Sequence, residues 1–258
     1  PNWNTIYFDT SSGITGTGFP NGTRSSPVDN ITDARAIAVA RNIEKIHVHG
    51  SITLNDNFDG FSFESDNPLH GSITLNNQSI ANCSFNKLSI TGQANGNAQY
   101  RDCRMQACTD LSGGMVNSRL TDNISIKAGA TCHAKNVSTA GVTPINIDMS
   151  GTGTSFQGVP LNGQITIKNL EHSSSWIIII GTNNIILDSS ITAGTVFVAG
   201  GGNLTDNSTS ITNLVNNLTA DQTWDILKTS HTTTDTYGKI VADTEIKADD
   251  AAVFALSK

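Results

Sequence analysis

The sequence predicts a mainly β fold: a right-handed parallel β-helix (β-solenoid) that opens with a short α/β cap and closes with a helical C-terminal stem. Short β-rich segments recur at an irregular period of about 20 residues, and turn-forming residues are abundant. The motif GSITLN occurs at 50–55 and again at 71–76, and similar segments follow at 88–92, 123–127 and 163–170. Short strands at such a period, separated by turns, are the signature of stacked solenoid coils.

The composition supports many strands and many turns. Only 37% of the 258 residues are hydrophobic and only 14% are charged, and Asn, Ser, Thr and Gly are frequent. A disordered chain needs more charge, and helical surfaces are usually richer in Lys and Glu. The net charge of −7 comes without clustered Lys and Arg, so we expect no nucleic-acid partner. No apolar run is long enough for a membrane span, so we expect no membrane insertion.

Stacked coils bury one alternate set of side chains in a continuous apolar column, because a single coil cannot bury that set alone. Cys83 and Cys103 are separated by about one period of the repeat and are expected in one stack. A β-sandwich is the competing fold. The expected inward residues are Ile52, Leu54, Ile73, Leu75, Phe85, Leu88, Ile90, Ile124, Ile126, Ile165 and Ile167.

Three regions are expected along the chain. Residues 1–49 read as a strand–helix–strand cap, with Asp29 or Asn30 beginning the helix. Residues 50–202 form the β-helix body, and residues 203–258 form a linker followed by a helical oligomerisation stem. Apolar positions in the stem are sparse, which favours a bundle formed with partner chains.

Two further features concern the core. The run WIIII at 176–180 shows no alternation, so it is either a fully buried strand or a coil face packed on another subunit. The four cysteines form no CxxC pair, and we expect them to be free, buried thiols, the alternative being two disulfides in a secreted protein.

Two segments resemble bacteriophage virion proteins. The opening, from IYFDTSSG to the first GSITL, is similar to the entry cap of phage tail fibre and tailspike proteins. The segment TWDILKTSHTTTDTYGKIV at 223–241 resembles a W-D-x-L-x-x-x-H-T-T-x-x-S-x-G element of phage virion proteins, with Thr236 at the Ser position. The matching residues are Trp224, Asp225, Leu227, His231, Thr232, Thr233 and Gly238.

The resemblance implies a virion component, assembled in the bacterial host cytoplasm as a homotrimer. Its partners would be other virion proteins and a host surface glycan. No catalytic residue is carried over from the family. The residues expected to hold the trimer together are Trp224, Leu227, Tyr237, Ile240 and Val241.

Few residues are candidates for a catalytic or metal-binding site. His47 and His49 alternate on one strand and so face the same way, which suits either a metal site or two histidines on a polar strand face. Two groups of carboxylates are candidates for glycan cleavage, although Asp-rich segments are also typical of turns. The first group is Asp56, Asp59, Glu64 and Asp66, and the second is Asp102, Asp110 and Asp122.

The chain has no GxSxG, HExxH or P-loop motif, and we expect no catalytic residue, cofactor or metal. The leading hypothesis is a non-enzymatic phage structural or adhesion protein, such as a fibre, spike or decoration module. The alternatives are a tailspike-type polysaccharide depolymerase that uses a carboxylate pair and a cellular solenoid adhesin.

Overall fold

The computed structural model describes residues 4–140, 143–181, 183–200 and 202–216. These residues form one helix, α1 (Ile31–Arg41), and 21 strands. The strands are β1 (Ile6–Asp9), β2 (Lys45–Thr53), β3 (Ser62–Glu64), β4 (Gly71–Thr74), β5 (Ser84–Asn86), β6 (Ser89–Gln93), β7 (Ala98–Arg101), β8 (Arg104–Leu111), β9 (Gly113–Val116), β10 (Arg119–Leu120), β11 (Ile124–Ile126), β12 (Thr131–Lys135), β13 (Val137–Thr139), β14 (Ile145–Asp148), β15 (Ser155–Gly158), β16 (Leu161–Lys168), β17 (Trp176–Ile180), β18 (Asn183–Leu187), β19 (Thr195–Ala199), β20 (Asn203–Asp206) and β21 (Asn213–Asn216).

The strands stack into two parallel sheets. Sheet 1 contains β1, the first half of β2, and then β3, β5, β7, β9, β12, β15, β17, β19 and β21. Sheet 2 contains the second half of β2 and the remaining strands. Each coil crosses both sheets, and about nine turns result. The predicted parallel β-solenoid is confirmed, while the sense of its winding stays a prediction. The β-sandwich is wrong, because sandwich sheets are antiparallel whereas these paired strands run parallel.

The inward residues form one continuous core. Every residue that the sequence assigned to the apolar column is buried, with at most 5% of its surface exposed. In sheet 1, Phe63, Phe85 and Tyr100 stack on successive coils with ring centroids 5.3 Å apart at each step. Aromatic rings in register therefore fill the sheet 1 side of the column across these coils.

Coil length varies, which corrects one expectation about the core. The register of sheet 1 joins Phe85 to Tyr100 across a short coil but Ala134 to Gly158 across a longer one. Cys83 and Cys103 do not share a stack: Cys83 precedes β5 in sheet 1, and Cys103 precedes β8 in sheet 2. The coil that leads from β5 to β7 is shorter than the spacing between the two cysteines. Cys103 therefore lies past sheet 1, directly before the next strand of sheet 2.

The N-terminal cap closes one end of the solenoid. Asn30 begins α1, because its side chain accepts a hydrogen bond from the backbone N–H of Asp33 at 2.8 Å. Asn42 ends the helix in the left-handed region at a φ of 52°. The buried side of α1 carries Ile31, Ala34, Ile37 and Ala38. The predicted strand–helix–strand order is therefore present.

Strand β2 joins the cap to the first coil without a break. Its residues up to His49 pair with β1, and those from Gly50 pair with β4. Gly50 makes the bend, since its φ is 100° and an added Cβ would clash with the Thr10 hydroxyl. The expected boundary between residues 49 and 50 thus falls at a corner inside one strand.

The solenoid continues beyond residue 202, where a linker was expected. Strand β20 pairs Leu204 with Ile185, and β21 pairs with β19. This segment reads as a linker because Leu204 is its only apolar side chain before Ile211. The predicted stem residues Trp224, Leu227, Tyr237, Ile240 and Val241 lie outside the described residues. Within the described ranges, no helix is both long and apolar enough to cross a membrane.

Strand β17 shows which side chains of the WIIII run at 176–180 are buried in the core. Ile177 and Ile179 point inward and are buried, whereas Trp176, Ile178 and Ile180 point outward and are half-buried. The strand therefore alternates like its neighbours, and the run of identical residues hides that alternation in the sequence. Only its inner face belongs to the core.

Candidate functional site

The largest group of interacting titratable side chains in the described residues lies on the outer face of sheet 1, beside the cap. The parallel register places Tyr7 next to His47, and His47 next to Glu64. Asp9 is likewise the register partner of His49. Together with Ser12, Arg24 and Asp66, these side chains line a cleft of about 580 Å³, which we call the polar cleft.

Asp9 is the best-anchored carboxylate of the polar cleft. It accepts hydrogen bonds from the hydroxyl and backbone N–H groups of Ser11 and Ser12 at 2.6–3.2 Å. Its Oδ2 also lies 3.1 Å from Nδ1 of His49. Partial burial raises the pKa of Asp9, but the bonds from Ser12, Ser11 and His49 outweigh it and hold the pKa well below its usual range. Asp9 is therefore a fixed negative charge.

His47 occupies the centre of the cleft. Its Nδ1 lies 3.7 Å from Glu64, and its Nε2 lies 3.9 Å from Asp66. The ring of Tyr7 stands 5.3 Å away, and Lys45 forms a 2.7 Å ion pair with Glu64. The carboxylate oxygens around His47 therefore offer a polar ligand several hydrogen-bond acceptors.

The two histidines predicted from alternation do share a face, as β2 places both side chains outward. His49 is the more exposed, and its ring approaches that of His70 at 5.9 Å. Within the described ranges, no group of three or more His, Cys, Asp or Glu side chains is arranged to hold a metal ion. Instead, His49 contacts Asp9, whereas His47 lies next to Glu64 and Asp66.

The carboxylates that were grouped by sequence do not form one site. Asp56 pairs with Arg35 at 3.0 Å, next to α1. Asp59 accepts hydrogen bonds from the Ser79 hydroxyl and the Ala81 backbone, and these bonds lower its pKa against the opposing effect of burial. Both residues serve the turns between coils, and only Glu64 and Asp66 reach the polar cleft.

The second group of carboxylates is also dispersed. Asp102 occupies a turn at a φ of 53°, Asp110 accepts from the Gln93 amide, and Asp122 accepts from the adjacent Asn123 backbone. These three side chains have different surroundings, which fits local structural use better than a shared catalytic role.

Sequence reasoning missed Asp9 and its serine partners. The signal lay in the alternation of IYFD and KIHVHG, which gives Asp9 the same outward phase as His49. Finding the contact, however, requires the pairing of two strands that are separated along the chain by a long loop and the whole of α1. This pairing depends on the fold rather than on local sequence.

The four cysteines offer no nucleophile. All are free and buried, as expected from the sequence. Burial raises the pKa of Cys83, Cys103, Cys108 and Cys132 to about 12, so the reactive thiolate is scarce at neutral pH. Their thiols fill the core: Cys83 Sγ, for example, donates to the Phe58 carbonyl.

Comparison with known proteins adds no relative. No protein-family model, no curated protein and no solved structure matches the chain.

Proposed function

We propose that the protein is a non-enzymatic virion component of a bacteriophage, a homotrimeric fibre, spike or decoration module that mediates attachment or particle assembly. The solenoid would serve as a stiff body, since each coil is hydrogen-bonded to the next along both sheets. The segment at 223–241, which resembles a phage virion element, would join three copies.

One observation carries the assembly part of the proposal. Along one line of residues on the outer face of sheet 1, the side chains change from polar to apolar near the last coils. Gln157 is followed in register by Ile178 and then by Phe197. With Trp176 and Ile180 on the same face, these residues make an outer apolar row consisting of Trp176, Ile178, Ile180 and Phe197.

An apolar row on an outer sheet face favours contact with another protein surface. The outer positions of earlier coils in the same line carry no apolar side chain: Gln99, Gly114, His133 and Gln157 follow one another in register. The change in character therefore coincides with the end of the solenoid from which the chain continues towards residue 223. Copies of this chain are the proposed partners.

The virion assignment is tested on particles. The virus whose genome encodes the chain should be purified and its proteins identified by quantitative peptide mass spectrometry. We expect the chain at a copy number that is a multiple of three. A chain that is abundant in infected cells but missing from purified particles, or a gene that lies in no viral genome, would overturn the proposal.

A polysaccharide depolymerase remains the second candidate, favoured by the placement of Glu64 and Asp66 on two sides of His47. Glycosidases use a pair of carboxyl groups. A host capsule incubated with the full chain should then lose chain length, and Glu64→Gln should abolish the loss while Glu44→Gln, an exposed position outside the cleft, preserves it. An intact polymer at every enzyme concentration would dismiss this candidate.

A further inference from the structure

Five cations gather where the two sheets meet in the middle of the solenoid. Arg101 and Lys135 end β7 and β12 in sheet 1, while Arg104 and Arg119 begin β8 and β10 in sheet 2. Lys87 occupies the turn between β5 and β6 on the same edge. All five side chains are exposed, and we call this set the cationic corner.

The cations are neighbours across strands. Arg104 and Arg119 are register partners in adjacent parallel strands, where backbones lie about 4.8 Å apart. In sheet 1, Val116 is the register partner of both Arg101 and Lys135 and stands between them. Like charges directly opposite each other destabilise a sheet, so this arrangement costs stability.

Three other outward cations of the solenoid and its cap are neutralised. Lys45 pairs with Glu64 at 2.7 Å, Arg35 with Asp56 at 3.0 Å, and Lys168 with Asp188 at 3.9 Å. Among the described residues, no carboxylate forms such a pair with a member of the cationic corner.

Two carboxylates belong to the surroundings of the corner. Asp102 sits in the turn between Arg101 and Arg104 without an ion pair among the described residues, and Asp122 follows Thr121, whose hydroxyl accepts from Arg104. Positive charge is therefore concentrated at one edge of a chain whose net charge is −7. A costly cluster on an acidic protein is typical of a binding surface for an anion.

Two grooves flank the cationic corner. On sheet 1, a groove of about 620 Å³ runs past Gln99, Gly114 and His133 to Lys135. On sheet 2, a groove of about 400 Å³ is lined by Arg104, Arg119, Asn117 and Asp102, so one carboxylate lies beside its two arginines.

We propose that the cationic corner and its two grooves bind an acidic polysaccharide, with the arginines and lysines holding its carboxylates and the amides holding its hydroxyl groups. This inference rests on the proposed attachment role, because it names the polymer that such a module would grip. Neither groove is lined by Phe, Tyr or Trp. Single-stranded nucleic acids rely on such rings for base stacking, so the lining disfavours a nucleic acid as the bound polyanion.

The test is binding of the full chain to polygalacturonate, measured by microscale thermophoresis at two salt concentrations. We expect binding that weakens with salt, and no binding to neutral dextran. The double variant Arg104→Gln with Arg119→Gln should bind at least roughly tenfold more weakly, because two charge-assisted contacts are lost. Its melting temperature should not fall, since both side chains are exposed and repel each other.

A control variant with the same net charge distinguishes binding at the cationic corner from nonspecific electrostatic attraction of the polymer to the whole protein. Lys127→Gln with Lys168→Gln removes the same charge at positions that line neither groove and should leave affinity within about twofold. Equal weakening by both double variants, no binding by the parent, or tighter binding of an oligothymidylate of equal charge would each overturn the proposal. A trimer that ignores polygalacturonate would refute this inference while leaving the assembly proposal intact.

Discussion

The ring of Tyr100 stacks on the ring of Phe85 at a centroid distance of 5.3 Å and an interplanar angle of 9°. The stack makes Tyr100 a core residue, and its hydroxyl is unfavourable there, because the buried oxygen has no hydrogen-bond partner. Burial raises the pKa of this phenol well above its usual value, so the group stays neutral.

Tyr100→Phe should therefore stabilise the protein. Removing a buried, unpaired hydroxyl while keeping the ring stack is expected to raise the free energy of unfolding by about 1 kcal/mol. Tyr100→Leu, which also removes the stack, should lower it by roughly 1–3 kcal/mol. Chemical denaturation at equilibrium measures both. A loss of stability in Tyr100→Phe would mean that the hydroxyl has a partner after all.

The cysteines should be chemically silent in the folded protein. Because burial raises the pKa of each thiol to about 12, an aromatic disulfide reagent at mildly alkaline pH should label none of the four within minutes. The same reagent in guanidinium should label all four. Rapid labelling of any one thiol in the native state would contradict the stacking of coils around it.

The anchoring of Asp9 predicts a pH dependence of stability. A carboxyl group whose pKa is lower in the folded than in the unfolded chain stabilises the fold above about pH 4, and this contribution is lost as the pH falls further. Asp9→Asn should cost about 1–2 kcal/mol at about pH 6 and less at about pH 3. Glu44→Gln, at an exposed position, is the control. A cost that is the same at both pH values would rule out this origin.

The assembly proposal predicts the effect of two substitutions, one in the stem and one in the outer apolar row. Trp224→Ala and Ile178→Gln should each raise the trimer dissociation constant by roughly thirtyfold, the effect of losing an interface hot spot. Val39→Ala, an exposed apolar change on α1, is the control and should have no effect. Sedimentation equilibrium measures the trimer dissociation constant of all three variants. A dissociation constant unchanged by Ile178→Gln would remove the outer apolar row from the interface.

The sequence was sufficient for the solenoid where its repeats are regular. The two copies of GSITLN pair in register, Ile52 with Ile73, as the shift between the copies predicts. The sequence did not predict strand positions where coil length changes. A turn that gains or loses residues shifts the next strand along the chain, but the composition of that strand stays the same and gives no sign of the shift. Cys103 is displaced to sheet 2 for this reason, and β20 was hidden by its polar sequence.

The sequence predicted the two histidines of the polar cleft but not which carboxylates they contact. Alternation identifies His47 and His49 as sharing one face, since the period of a strand is local. Their partners Asp9 and Glu64 come from the preceding and following strands of sheet 1. Which carboxylate faces which histidine depends on strand order and register, and these are properties of the complete fold.

The assembly claim is tested most directly by the solution mass of the full chain and of a chain that ends at Asn216. The shorter chain keeps every described strand, and circular dichroism and a melting curve would check that its solenoid is intact. Light scattering should give the full chain three times its 27.2 kDa mass and the shorter chain a smaller assembly or a monomer. A full chain that is monomeric at every concentration would contradict the proposed trimeric virion module.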